Sequence, residues 1–460
     1  MGETLLMKQV GIDDIATYVP KIYLDAEDMA KARGVPPEKI TKGLGIEKLS
    51  IPDAHEDAAT MAAMATLMLM EKNNLQPEDI DFIHVATETG PDASKPISCY
   101  VQGMLEQRYG KGSFDHIGAP ETKFACVGAT YAMIDRLAYI ASGWNRAPYS
   151  IVVATDIAKY ELNSSGEPTQ GAAAIALLLK ENPRLLVYEP QFTGFGTVDD
   201  RDFFRPVERT TAVVNGQYSV GCYLRDMRIA TDAYKRNMVK AGMLKSLNES
   251  LMDKIDLASF HSPFPKMVQY AFASFLIHDW RNLPKWNQIS QKIGPEPSRE
   301  KMTDVEFYIS DNYKDYRKNF TNTEEFIKEY EAKVADSLKA ISLIGNSYTA
   351  SVWLGVASHF EHRKDDLTGK RIGIGSYGSG SSAIVCSFIV QPEYKEVVKN
   401  IKLTYKLNKR QKISVDVYED LHEGRRKLNE SINPPKNEFV LDSIGTSETD
   451  FGYRYYKYIE

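Results

Sequence analysis

Short runs of β-branched and apolar residues alternate along this chain with longer stretches whose apolar positions recur at helical spacing. That alternation predicts an α/β architecture. In the first half, strands are expected at 9–16, 82–87, 122–125, 150–155 and 172–179. Helices are expected at 57–73 and 131–142, with Gly143 as a natural stop for the second. In the second half, 257–260, 371–375 and 383–390 read as strands, and 334–360 as helical pieces broken at Gly345-Asn346. The same grammar thus recurs, and its order alone suggests a duplicated fold with halves 1–190 and 191–460.

Three stretches lack clear periodicity. Residues 191–225 are rich in Gly, Asp, Arg and Tyr and read as irregular. Residues 281–329 are heavily charged and punctuated by Pro284, Pro295 and Pro297, which predicts a surface excursion that stays out of the core. Residues 400–412 are basic with interleaved Leu and Tyr, as expected of the solvated face of an edge strand.

Composition narrows the functional classes. The chain has 460 residues, 43% of them apolar, so it has the material for a core and is not expected to be disordered. Its 56 basic and 62 acidic residues leave a net charge of −6, which implies no broad nucleic-acid footprint. The richest apolar runs, 61–70 and 171–179, are shorter than the ~20 residues a membrane span requires. The first residues, Met-Gly-Glu-Thr-Leu-Leu-Met, carry no charged segment followed by a long apolar one, so no secretory signal is expected and the cytoplasm is the default location. Cys99, Cys126, Cys222 and Cys386 are scattered with no CxxC pair, which argues against a disulfide framework or a cysteine-rich metal site.

Chemistry gathers at a few positions. Cys126 lies in Phe-Ala-Cys-Val-Gly-Ala, where a strand-like run gives way to a helix-like one. A thiol at such a turn would meet the positive end of the helix dipole, which favours thiolate. The other three cysteines read as small buried hydrophobes. His261, in Phe-His-Ser-Pro-Phe, ends a strand that Pro263 forbids to continue as a central one. Strand ends are where α/β sheets collect functional groups, and an imidazole there suits acid/base work. Glu88 ends the apolar run 82–87, a placement that would desolvate its carboxylate and raise its pKa. The run Gly-Ile-Gly-Ser-Tyr-Gly-Ser-Gly at 373–380 lacks the continuation of a P-loop, so its glycines are expected to permit close backbone packing. Asn346 reads either as a pocket residue or as a helix cap. His359 and His362 lack a third metal ligand and are expected at a solvated helix end.

Taken together these residues resemble the 3-hydroxy-3-methylglutaryl-CoA synthase family of the thiolase superfamily. The likeness runs from Val-Gly-Ile-Asp-Asp-Ile-Ala-Thr-Tyr-Val-Pro at 10–20 through Ala-Thr-Glu-Thr at 86–89 and Ala-Cys-Val-Gly-Ala-Thr at 125–130. It continues through Ala-Thr-Asp-Ile-Ala-Lys-Tyr at 154–160, Gly-Glu-Pro-Thr-Gln-Gly at 166–171, Gly-Asn-Ser-Tyr-Thr-Ala-Ser at 345–351 and Ser-Tyr-Gly-Ser-Gly at 376–380. The resemblance implies two α/β halves stacked in five αβαβα layers, normally as a homodimer. It implies an enzyme of the mevalonate route to isoprenoids that uses acetyl-CoA and acetoacetyl-CoA, with no metal and no cofactor beyond these substrates. Cys126 would carry the acetyl group as a thioester and Glu88 would take a proton from its methyl. His261 would hold and protonate the acetoacetyl carbonyl oxygen, and hydrolysis would then free the product. Tyr160, Thr169, Ser219, Asn346 and Ser379 would line the substrate pocket, and Lys266 would meet the CoA phosphate or pantetheine.

Some positions depart from the family pattern. Val127 stands where a tyrosine is common, Tyr270 where a second lysine is expected, and 171–174 read Gly-Ala-Ala-Ala. Two other readings keep the same fold. One is a β-branching enzyme whose acetoacetyl acceptor rides on an acyl carrier protein. The other is a non-catalytic acyl-CoA-binding protein.

Overall fold

The computed structural model describes residues 8–209 and 211–460; residues 1–7, on which the expectation about a secretory signal rests, lie outside them. Ten strands form the main sheet: β1 (Val10–Tyr18), β2 (Ile80–Ala86), β3 (Glu121–Thr122), β4 (Tyr149–Ile157), β5 (Ala172–Glu181), β6 (Leu186–Tyr188), β7 (Gly194–Thr197), β8 (Leu257–Phe260), β9 (Arg371–Gly378) and β10 (Ser382–Val390). Their order is β8-β9-β10-β6-β1-β5-β4-β2-β3, with β7 also paired to β10. The pairs β2–β3, β2–β4 and β8–β9 are parallel. The short β6 bridges β1 of the first half and β10 of the second.

The alternation of side chains along these strands produces the layering. On β5, Ala173, Ile175, Leu177 and Leu179 face one core, while Ala172, Ala174, Ala176 and Leu178 face another. Such a strand reads as one continuous apolar run because both its faces are covered. The outer core of the first half holds α1 (Ala58–Lys72) and α2 (Ile97–Tyr109). The central core holds α3 (Gly128–Ala141), followed far along the chain by a helix at Ser351–His362, and takes strand residues from both halves. A third core lies beyond β8–β10 and is built on α4 (Gly216–Lys240) and α5 (Pro265–Trp280). Helices, one arm of the sheet, helices, its other arm, helices: five layers follow from which strand face meets which core. Helix α1 is apolar around most of its surface because it packs on β1, β4 and β5 and also against α2. An Asp57–Thr60 capping box starts it.

Four expectations fail here. The stretch 281–329 is no excursion outside the core. It folds into α6 (Trp286–Ile293), α7 (Asp304–Ile309), α8 (Asp311–Thr321) and the start of α9 (Glu324–Lys333). Trp286, Ile289, Phe307, Phe320 and Phe326 bury themselves in the third core. Most of the charges lie on the outer faces of these helices, Arg317 excepted, and in segments so short and so charged the buried aromatic residues did not stand out. Likewise α4 begins at Gly216, inside the stretch read as irregular. Residues Leu403–Asn408 form a helix that buries Leu403 and Leu407, leaving only Gln411–Ile413 of the tail as strand. A further α10 (Ala335–Ile341) precedes the helix at Ser351–His362, hereafter α11. On α11 His359 is fully buried, with Nε2 3.0 Å from the Ala258 carbonyl oxygen, rather than solvated.

The burial of α6–α9 has a measurable consequence. The Phe320 ring is 0% exposed and packs edge-on against Trp280 and Phe326. Phe320→Ala should therefore cost about 3–5 kcal/mol of unfolding free energy by urea titration. A surface excursion would give a change within ~0.5 kcal/mol.

Candidate active site

Three strand ends meet beside one cavity: Cys126 and His261 are in its wall, and Glu88 stands behind it, against the Cys126 thiol. Cys126 follows the edge strand β3, Glu88 lies two residues past β2, and His261 directly follows β8. These are carboxyl ends of strands in parallel pairs, where the chain leaves the sheet and its side chains are free to face a ligand. The cavity measures 150 Å³, and Cys126, Tyr160, Thr169, Ser219, His261, Asn346 and Ser379 are all in its wall. Lys266 is outside that wall, one residue before the lining Met267, and is half-buried.

The turn that carries the nucleophile candidate is tight. Ala125 takes φ +41°, an uncommon conformation for a residue with a Cβ, and α3 begins two residues after Cys126. Gly378 explains the glycine run: a Cβ there would come within 2.7 Å of Val127 and 2.9 Å of the Phe124 carbonyl oxygen. The second-half strand β9 can thus press its backbone against the cysteine turn.

The expected thiolate is not what this environment favours. Cys126 is 8% exposed, and its Sγ donates to Glu88 Oε1 at 3.1 Å. Burial first, and the Glu88 carboxylate second, push the thiol's pKa well above its usual value. The helix end offers little in return. The Ala129 N–H is already bound by Thr349 Oγ1 at 2.8 Å, and the Val127 N–H by the Phe124 carbonyl oxygen at 3.2 Å. Desolvation and a facing carboxylate outweigh the helix dipole here. The resting group is a thiol hydrogen-bonded to its neighbour.

Glu88 in turn sits beside a second carboxylate. Asp156, fully buried on β4, accepts at Oδ1 from the Thr87 hydroxyl, the Glu88 N–H and the Thr89 hydroxyl, all within 2.9 Å. Its Oδ2 accepts from the Thr349 N–H at 3.1 Å. Four donors hold the charge on Asp156, so the proton that this pair retains belongs on Glu88. Burial, reinforced by the Asp156 charge, raises the Glu88 pKa. A carboxylate so placed is a stronger base than one in water. The Arg205 guanidinium donates to the Glu88 backbone carbonyl oxygen and ties the 203–214 hairpin across this corner.

His261 is 2% exposed, and burial lowers its pKa to about 3, so the ring is neutral. Nδ1 lies 2.7 Å from Ser351 Oγ, which also accepts the Ser262 N–H at 3.2 Å. In the tautomer whose Nδ1 accepts from this serine hydroxyl, the ring proton is on Nε2. In that tautomer the imidazole presents a neutral N–H donor that can hold an oxygen gaining charge. Asn346 is in the cavity wall, and its Oδ1 also accepts the Tyr348 N–H at 2.9 Å at the start of the helical turn Tyr348–Ala350, so it serves as pocket residue and as cap together. Aromatic rings of Tyr160, Phe203, Tyr223 and Tyr348 make the rest of the wall dry.

Two residues escaped the sequence reading. Asp156 lay in view within Ala-Thr-Asp-Ile-Ala-Lys-Tyr, but nothing local says that its carboxylate meets a residue 68 positions earlier. Ser351, which orients the imidazole, is 90 residues from it. A site needing three distant segments shows itself only when folded.

The pattern of this chain is shared with known proteins. The model of the hydroxymethylglutaryl-coenzyme A synthase N-terminal region matches residues 6–183, and that of the C-terminal region matches 186–444. The chain is 34% identical to the hydroxymethylglutaryl-CoA synthase of Haloferax volcanii, over 99% of this chain and 100% of that protein. It is 31% identical to the Gibberella zeae hydroxymethylglutaryl-CoA synthase ERG13 over 91% of each. Its fold superposes with a TM-score of 0.84 on a structure described as MvaS in complex with 3-hydroxy-3-methylglutaryl coenzyme A, at 32% identity, covering 98% of this chain and 100% of that one. On a thiolase-like fold, with both halves matched and relatives aligned from end to end, the chain belongs to the hydroxymethylglutaryl-CoA synthase family of acyl-CoA condensing enzymes.

Proposed function

We propose that the chain condenses acetyl-CoA with acetoacetyl-CoA through an acetyl-Cys126 thioester, giving HMG-CoA and CoA for isoprenoid synthesis. The observation that carries this is the 3.1 Å contact between the Cys126 thiol and the Glu88 carboxylate, at the wall of a cavity that His261 also lines. In the first half-reaction the thiol passes its proton to Glu88 as sulfur attacks the acetyl carbonyl, and CoA leaves with a proton. In the second, Glu88, again ionised, takes a proton from the acetyl methyl. The resulting carbon nucleophile adds to C3 of the acetoacetyl group, whose carbonyl oxygen His261 Nε2–H holds as charge develops. Water then cleaves the thioester and returns the thiol. Side chains and thioesters supply all the chemistry this reading needs.

Tyr160, Thr169, Ser219, Asn346 and Ser379 shape the acyl pocket in this reading, and Lys266 meets the anionic carrier. A homodimer in the cytoplasm is part of it. Beside the edge strand β3, Phe124, Tyr131 and Phe195 stack in sequence, with Phe195 47% exposed, an apolar surface that a second copy would cover.

The acceptor is tested by a paired assay. With the acetylated protein, acetoacetyl-CoA should condense with at least about tenfold higher kcat/KM than an acetoacetyl acyl carrier protein. A preference for the carrier protein would replace CoA as the acceptor, and a wild type that neither acetylates nor condenses would be a binding protein.

A further inference from the structure

The connection between β4 and β5, residues 158–171, carries four cavity-lining residues, Tyr160, Ser165, Gly166 and Thr169. Tyr160 packs with Cys126, Ala158 and Tyr348 in one small buried cluster, so its ring stands beside the sulfur. The ring presses on the chain at Gly166, where a Cβ would come within 2.9 Å of it. A loop is an unsteady support for such a wall, because connecting segments are the mobile parts of a fold. Here the backbone of Tyr160 is held at both of its polar groups. Its N–H donates to Gln170 Oε1 at 2.6 Å, and its carbonyl oxygen accepts from His422 Nε2 at 2.8 Å.

Gln170 is itself oriented by a chain of buried groups, each of which fixes the polarity of the next. Arg33 donates to both oxygens of Glu167, from Nη2 at 2.7 Å and from Nε at 2.9 Å. The carboxylate, 0% exposed, accepts from the Tyr418 hydroxyl at 3.0 Å. With its proton so directed, the Tyr418 oxygen accepts from Gln170 Nε2 at 2.7 Å, which turns Oε1 toward the Tyr160 N–H. Tyr418 and His422 both stand on α12 (Val415–His422), and Tyr418 buries its ring in a separate core with Ile22, Leu24 and Leu49. Arg33 Nη1 also holds Glu419 of α12, at 2.7 Å. A helix whose tyrosine is 248 residues from Gln170 thus grips the loop beside the sulfur. A buried polar network with its members satisfied is rigid and specific in geometry.

We propose that Gln170 and Tyr418 are positioning residues for acyl selection: through them α12 holds the Tyr160 ring against Cys126, so that the wall admits a two-carbon acyl group and resists a longer one. This rests on the acyl-thioester reading of the cavity. Neither residue is in the cavity wall, so both act through Tyr160. Loosening either should let the ring retreat and make room for one more methylene, whose exclusion by a hydrophobic wall is worth about 10–200-fold.

The test compares the rates at which acetyl-CoA and propionyl-CoA acylate Cys126, read by intact mass, in wild type, Tyr418→Phe, Gln170→Met and Phe320→Ala. Wild type should prefer acetyl by about tenfold or more, and Tyr418→Phe and Gln170→Met should each lower that preference about fivefold or more. Tyr418→Phe keeps the ring in its core, whereas Phe320→Ala loosens the third core, which shares no residue with the network. Phe320→Ala should therefore leave the preference within about twofold of wild type, which separates lost positioning from lost stability. A preference that is equal in all four proteins, lowered as much in Phe320→Ala, or absent from wild type overturns the proposal. Should Tyr418→Phe not fold, Gln170→Met decides with the same expectations. A wild type that takes up neither acyl group would instead sink the reading of the cavity. The network is then judged by alkylation of Cys126 with iodoacetamide and with the bulkier iodoacetanilide. Their rate ratio should fall in Tyr418→Phe and Gln170→Met, and an unchanged ratio overturns the role given to these residues.

Discussion

Cys126→Ala should take up no acetyl group from acetyl-CoA and should lose turnover by on the order of 10⁴-fold or more, because a covalent route has no substitute once its nucleophile is gone. The intact mass reads this directly: wild type gains one acetyl group and the variant none. The fold should survive, since the change deletes one sulfur from a site already bordered by a cavity. An adduct of the same mass on the alanine variant would move the nucleophile elsewhere. The raised pKa adds a second readout. The thiol should alkylate slowly at neutral pH and faster as pH rises, and Glu88→Gln should speed it at a given pH, since the facing carboxylate is one cause of the shift.

Glu88→Ala should separate the two half-reactions. Acetylation should persist, because removing the carboxylate lowers the thiol's pKa even as it removes a proton acceptor. Condensation should fall by about 10²–10⁴-fold, the usual worth of a positioned base. An acetyl-enzyme that accumulates and does not consume acetoacetyl-CoA is the expected result, seen by mass with the acceptor present. Failure to acetylate at all would overturn this role for Glu88. The wild-type pH profile should show the same group. Burial and Asp156 hold the Glu88 pKa above the ordinary 4.5, and the base must be ionised to act. The condensation rate should therefore climb with pH in the neutral range rather than near 4.5. Linkage gives the matching sign for stability. A carboxyl whose folded pKa is raised binds its proton more tightly when folded, so its contribution is lost as pH rises through that value. Glu88→Gln, which cannot ionise, should be more stable than wild type on the alkaline side.

Much of the architecture was legible because its signals are local. The strand β8 and the helix α1 carry their periodicity within a few residues, and their observed bounds, 257–260 and 58–72, fall on or just inside the expected 257–260 and 57–73. The candidate trio was legible for a similar reason. Cys126, Glu88 and His261 each end an apolar run beside glycine or proline, and strand ends carry chemistry in this class of sheet. The helices α6–α9 were not legible, because their buried aromatic residues are spaced through short segments crowded with charge. Trp286 and Phe320 become core residues only once Phe326 and Trp280 meet them across the fold. His359 misled for the same reason: its partner, the Ala258 carbonyl oxygen, is 101 residues away.

The order of residues by itself determined the αβ grammar, the family and the groups able to do acyl chemistry, since each depends on a side chain's own reactivity and its near neighbours. Protonation was decided by the tertiary structure alone. Whether Cys126 rests as thiol or thiolate, which carboxyl of the Glu88–Asp156 pair keeps the proton, and which nitrogen of His261 faces the cavity all depend on desolvation and on hydrogen bonds from distant segments. Those forces act through space over a few ångströms, and the linear chain does not record which atoms will stand that close.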